Sequence, residues 1–200
     1  MDKNFLIKQA IKNSVETKNK ILNNPEIISL IEKAAEEMIE TFKNGRKVLF
    51  CGNGGSAADA QHLAAELSGK YYLDREPLAA EPLNINTSFL TAVANDLSYE
   101  EVFSRLIRAV GKPGDVLVAI STSGNSMNII RAIEAAKNKK IITVGLTGKT
   151  GGKMRDLCDY LIKVPSTDTP RIQESHILIG HIICEIVEKE IFGGKDIKTI

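Results

Sequence analysis

At 200 residues and 43% hydrophobic, the chain can bury the core of one well-packed domain. Its charge is nearly balanced, 26 Lys and Arg against 25 Asp and Glu, so it carries no basic field for nucleic acid. Aromatics make up only 5% and Trp is absent, which removes a base-stacking platform as well.

The opening MDKNFLIKQAIKNSVETKNK is interrupted by charge every few residues, so it is no signal peptide, and no run in the chain reaches transmembrane length. It predicts a helix over residues 5–21, with Leu6, Ile7, Ala10, Ile11 and Val15 apolar, broken by Asn23-Asn24-Pro25. A second helix carries Ile27, Ile31, Ala34, Ala35, Met38, Ile39 and Phe42 and closes at Asn44-Gly45. Short apolar runs follow over 47–51, 78–85, 115–120, 141–146 and 160–164. Helical patterns separate them at 56–67, 88–93, 100–110 and 125–137, with a short one after Gly152. Strands alternating with helices predict βαβ units. The expected fold is one α/β domain over 1–200. An N-terminal helical hairpin over 1–45 precedes a doubly wound, five-stranded parallel sheet with helices on both faces. The cysteines Cys51, Cys158 and Cys184 are odd in number, far apart and without a C-x-x-C pair, so no disulfide framework or cysteine zinc site is indicated. Free thiols in a reducing cytoplasm are expected.

In an open parallel sheet, ligands sit beyond the C-terminal ends of the strands. The first such end reads Cys51-Gly52-Asn53-Gly54-Gly55-Ser56. Its glycines let the backbone turn tightly, and the helix N-terminus that follows favours an anion. The letters GNGGSA also fit the dinucleotide pattern G-x-G-x-x-A, but the next strand ends Asn84-Ile85-Asn86, without the acidic residue that would hold a ribose. No nucleotide cofactor is expected. The second end, ISTSGNS, gathers Ser121, Thr122, Ser123 and Ser126 where a strand meets a helix. One hydroxyl suffices to cap a helix; the surplus points to a phosphate.

Helix 56–67 presents Asp59, His62 and Glu66 within about 60° of one another, while Ala60, Leu63, Ala64 and Leu67 take another side. His62 and Glu66 can share one proton or one metal ion. Spacing alone also permits a casual pair on a solvated face, and the glycine turn in front of the helix favours the working reading. In the last helix, 171–192, Ile172, Ile177, Leu178, Ile179, Ile182, Ile183, Ile186 and Val187 spread nearly all the way round. A second cover from another subunit is expected. His176 falls on the apolar stripe and is expected to be packed. His181 falls among Glu174, Glu185 and Glu188 and is the better working imidazole. Gln173 precedes His181 by about 12 Å along a continuous helix. Either Gln173 lies in an irregular start after Pro170, or different subunits contribute the two.

At these residues the chain resembles the sugar isomerase (SIS) domain family, and within it the phosphoheptose isomerases. The resemblance covers nearly the whole chain and is carried by CGNGGSAADAQHLAAELSGKY, the Asn95-Asp96 pair in TAVAND, GDVLVAISTSGNS, LTGKTGGKM and RIQESHILIGHIICEIVE. It implies a flavodoxin-like sheet and an aldose–ketose isomerase that interconverts sedoheptulose 7-phosphate and glycero-manno-heptose 7-phosphate. That reaction opens the route to activated heptose for bacterial surface polysaccharides, lipopolysaccharide and capsule. A homotetramer with active sites between subunits is also implied, with no nucleic-acid or membrane partner. By the same resemblance Ser121, Ser123 and Ser126 hold the phosphate, with Thr122 nearby. Asn53, Gly54, Gly55, Ser56, Asn95, Asp96 and Gln173 line the sugar. Zinc is bound through His62, Glu66, Gln173 and His181. Glu66 and His181 form the acid–base pair, and Asp59 is a supporting carboxylate.

Two stretches depart from the family wording. Asn86 stands where an aspartate is expected, and DLSYEE follows Asn95 in place of a glycine-and-aromatic run. Regulatory relatives that bind a replication initiator keep the fold but lack the full acid–base set, whereas this chain retains Glu66, His181, His62 and Gln173. An isomerase of another phosphosugar would use the same residues.

Overall fold

Each of five short apolar runs forms a strand, and a computed structural model of residues 1–193 joins them in one wholly parallel sheet. The strands are β1 (Val48–Gly52), β2 (Ala80–Pro82), β3 (Val116–Ile120), β4 (Ile142–Thr147) and β5 (Tyr160–Lys163), in spatial order β2-β1-β3-β4-β5. Residues 194–200 of the expected domain lie outside the described residues. Val48 pairs with Ala80 on one side and Val116 on the other, Val116 with Ile142, and Val144 with Tyr160. Every residue of β1 and β3 is buried, as a strand covered on both faces must be.

The described residues also form seven α-helices, all but the first packed on the sheet: α1 (Lys3–Leu22), α2 (Pro25–Lys43), α3 (Gly55–Ser68), α4 (Thr87–Asp96), α5 (Val102–Val110), α6 (Met127–Asn138) and α7 (Thr169–Phe192). Alternation along the strands divides the core in two. Val48, Phe50, Val116 and Val118 face α2, α3 and α7, while Leu49, Cys51, Leu117 and Ala119 face α4, α5 and α6. Among the described residues no helix is long and apolar enough to cross a membrane.

Three elements differ from the expectation. β2 is three residues long rather than eight, because it is an edge strand that ends at Pro82, which has no N–H for the ladder. α6 begins at Met127 rather than 125, with Ser126 as its cap. α7 begins at Thr169, before Pro170, since proline is tolerated in a first turn. Gln173 therefore lies in regular helix, and the irregular start is excluded.

The hairpin is only partly covered. Asp2 caps α1 by accepting from the N–H groups of Asn4 and Phe5, and Asn24 caps α2 in the same way. Phe5, Leu6, Ile7, Ile11 and Val15 nonetheless stay exposed on α1. On α7, Ile172, Ile179, Ile183 and Val187 are buried in the chain, while Ile182 and Ile186 are left outside. β1 leads away to β2 and β3 leads the other way to β4, so the crevice between their C-terminal ends is the switch point where a ligand fits.

Candidate active site

The turn after β1 is built for close approach. Gly54 sits at φ +56° and ψ −121°, a region open to glycine alone. A Cβ on Gly52 would lie 2.3 Å from the Ser56 carbonyl, so α3 starts directly against the strand end. Ser56 is buried, and its N–H donates to the Asn53 carbonyl. The Asn53 side chain is locked by a reciprocal amide pair: its Nδ2 donates to Asn128 Oδ1 at 2.9 Å, and Asn128 Nδ2 donates back at 2.8 Å. Tyr99 donates its hydroxyl to the same Asn53 oxygen at 3.1 Å. With both lone pairs of that oxygen used, Asn53 offers a ligand an N–H donor. Neither Asn128 nor Tyr99 was singled out by the sequence, although Tyr99 stands in the DLSYEE stretch and Asn128 two residues after the serine loop.

At the end of β3 the hydroxyls converge. Ser121 Oγ lies 3.2 Å from Ser126 Oγ and 3.5 Å from Ser123 Oγ, and accepts the Gly124 N–H at 3.2 Å. Ser126 occupies the cap position of α6 yet makes no capping bond with its side chain. Helix capping therefore does not account for it. Gly124, at φ +67°, lets the loop pack against Gly151: a Cβ there would be 2.2 Å from the Gly151 carbonyl oxygen. Thr122 and Ser123 border a cavity of about 270 Å³, which Lys149, Thr150, Ser166 and Thr167 also line.

The third group depends on two helices meeting. Gly180 brings α7 so close to α3 that a Cβ would lie 2.4 Å from Leu63 Cδ1. One residue on, His181 Nε2 stands 3.3 Å from His62 Nε2, and His62 Nε2 stands 2.9 Å from Glu66 Oε1. One potential ligand atom from each residue lies within 4.8 Å of the other two. His62 Nε2 has at most one proton to give, yet two acceptors face it. Such a set suits a cation. Two imidazoles and a carboxylate are a common catalytic zinc set, and ligand bonds of about 2.05 Å at tetrahedral angles place donor atoms about 3.3 Å apart. Burial holds the His181 pKa below the ordinary value, His62 adds to this and Glu66 opposes it, which favours the neutral ring. Tyr71 stacks on His181 with ring centres 5.7 Å apart. Asp59 Oδ2 is buried without a partner, and burial pushes that carboxyl up to about 6 against the opposing effect of His62.

Not every predicted residue joins these groups. Gln173 stands over the glycine turn, where a Cβ on Gly55 would be 2.4 Å from its Nε2. Gly55 and His62 are about 10 Å apart along α3, so within one chain Gln173 belongs to the turn and not to the His62–Glu66–His181 cluster. Asn95 and Asp96 end α4 exposed, bonded to each other at 2.8 Å. Asn86 caps α4 by accepting the Phe89 N–H, a role that aspartate fills equally well. Glu188 corrects the reading of the α7 wheel: it is 1% exposed and paired with Arg75, not part of a solvated face. His176 is fully buried.

The family model of the SIS domain matches residues 12–148, more than half of the chain, and the chain belongs to that family. Within it the likeness is to phosphoheptose isomerases. The phosphoheptose isomerase of Aneurinibacillus thermoaerophilus is 56% identical over 192 residues, covering 96% of this chain and 97% of the relative. The solved structure of phosphoheptose isomerase GmhA from Neisseria gonorrhoeae superposes with a TM-score of 0.88 at 42% identity, covering 93% of this chain and 98% of that one. A phosphoheptose isomerase structure from Francisella tularensis gives 0.90 at 34% identity, with 94% and 100% covered. The chain is thus an isomerase by kinship.

Proposed function

We propose that this isomerase interconverts D-sedoheptulose 7-phosphate and D-glycero-D-manno-heptose 7-phosphate in the cytoplasm, as the first step towards activated heptose. The observation that carries the reading is the His62–Glu66–His181 cluster, held where α7 meets α3 behind the glycine turn. The substrate phosphate is read onto Ser121, Ser123 and Ser126, whose hydroxyls converge at the N-terminus of α6, where the helix amides favour an anion. The sugar chain then runs towards the turn, where Asn53 donates an N–H and Gly54, Gly55 and Ser56 allow close approach. Asn95, Asp96 and Thr122 border its path.

The chemistry moves two protons. From the ketose, Glu66 takes a proton from C1, leaving an enediol, and returns it to C2. His181 takes the C1 hydroxyl proton and supplies one to the C2 oxygen. The product is the aldose, with atoms and charge unchanged. Asp59, whose carboxyl burial pushes up to about 6, stands one turn before His62 and is read as a supporting carboxylate. The N2O set of His62, Glu66 and His181 fits zinc, with Gln173 of another copy as fourth ligand, and bound zinc would polarise the substrate carbonyl. A homotetramer with shared sites brings that Gln173 within reach.

The test is an NMR assay of the purified protein with sedoheptulose 7-phosphate, beside Glu66→Gln and His181→Ala. Aldoheptose 7-phosphate signals should appear with wild type and fall by about 10² to 10⁴ in rate with either variant. No turnover by a folded wild type, with or without zinc, would sink the reading.

A further inference from the structure

α3 ends at Ser68 with its last carbonyls unpaired by the helix, and one buried ion pair closes both that end and the loop that follows. Arg75 and Glu188 have side chains 2% and 1% exposed, with Arg75 Nε 2.9 Å from Glu188 Oε1. The Arg75 guanidinium also donates to the carbonyls of Glu66 at 2.9 Å, Leu67 at 2.8 Å, Gly69 at 3.1 Å and Glu76 at 3.0 Å. From the other side, the Glu188 carboxylate accepts the backbone N–H groups of Tyr71 at 3.1 Å, Tyr72 at 2.8 Å and Leu73 at 3.1 Å. The Phe192 ring covers the guanidinium at 5.4 Å.

A buried ion pair is weak evidence for stability, because well-packed apolar residues often serve as well. Apolar residues could not join these particular backbone groups. Arg75 holds the carbonyl of Glu66 itself. Glu188 holds the N–H of Tyr71, whose ring stacks on His181. Glu188 also follows His181 by two turns on the same face of α7. One pair therefore ties together the three segments that carry Glu66, Tyr71 and His181. We propose that Arg75 and Glu188 are positioning residues of the isomerase site, setting where Glu66 and His181 stand relative to each other. The inference rests on reading the His62–Glu66–His181 cluster as that site.

The test uses the full chain as wild type, Glu188→Gln and Arg75→Lys. Gln turns an amide NH2 against backbone donors, and Lys keeps the charge but cannot span the fan of carbonyls. Thr143→Val is the destabilised control, because Thr143 Oγ1 donates to Asp159 at 2.8 Å near the opposite end of the sheet. kcat, KM, zinc affinity by chelator competition and the histidine-ring NMR signals are read well below each unfolding temperature. The two site variants should lose about tenfold or more in kcat and in zinc affinity. KM should hold and the His62 and His181 signals should shift, while Thr143→Val at a similar loss of melting temperature changes none of these. Wild-type values in either folded site variant, or equal losses in Thr143→Val, overturn the proposal. If Glu188→Gln does not fold, Arg75→Lys decides alone. If wild type converts no heptose phosphate, the functional reading fails, and the ring signals still decide this one.

Discussion

His176 lies wholly inside the layer between sheet and helix, its Nε2 3.2 Å from the Thr147 carbonyl oxygen. Burial lowers its pKa from 6.5 to about 4, against the smaller opposing effect of that carbonyl. Between those values the unfolded chain binds a proton that the folded chain refuses. The stability tied to a neutral His176 is therefore complete above about pH 6.5 and lost as pH falls towards 4, by about 3 kcal/mol. Urea unfolding of wild type and His176→Asn across that window should show a steep acid decline in the first and a shallower one in the second. Two glycines separate fold from function. Gly55→Ala meets only the far end of Gln173, so melting should barely move while KM rises. Gly124→Ala meets the Gly151 backbone at φ +67° and should lose about 2 kcal/mol or more in a melting experiment, with phosphate binding gone. At this scale the sequence shows what is local. The serine loop and the His62–Glu66 spacing each sit in one segment. Asn53 with Asn128, Tyr99 with Asn53 and Arg75 with Glu188 are 75, 46 and 113 residues apart, and no periodicity reports such pairings.

Among the elements, the α3–α7 contact decides whether a site exists. Gly180→Ala would drive its Cβ into Leu63, and overpacking of that kind costs about 1–3 kcal/mol. It should also part His181 from His62, so zinc affinity falls along with stability. Leu63→Ala in the same chain should restore much of both, which calorimetry and chelator competition would check. β1, β3 and β4 were readable because they are short, almost wholly buried runs rich in apolar residues, VLFCG, VLVAI and ITVGLT. β2 was not, because its length is set by Pro82 and by its edge position rather than by its apolar letters. The start of α7 was misread for a related reason: Pro170 looks like a breaker, yet proline costs a first turn nothing. Which face of α7 is wet was half legible. His176 followed the stripe, and Glu188 did not.

In the whole molecule, Phe5, Leu6, Ile7, Ile11 and Val15 of α1 and Ile182 and Ile186 of α7 stay uncovered, and a second subunit is the expected cover. Light scattering should give the mass of a tetramer, and Ile7→Glu with Ile11→Glu should give a smaller species. If Gln173 crosses between subunits, inactive Gln173→Ala and inactive His181→Ala proteins, unfolded and refolded together, should recover activity that neither regains alone. The placement of His181 on the final helix has a consequence for synthesis. A ribosome that has made the first 168 residues has already delivered the glycine turn, the serine loop and Glu66, but neither Gln173 nor His181, nor the helix that shares with α2 and α3 the cover of one face of the sheet. Until α7 is made the nascent chain cannot assemble the His62–Glu66–His181 cluster, so whatever depends on that cluster waits for α7.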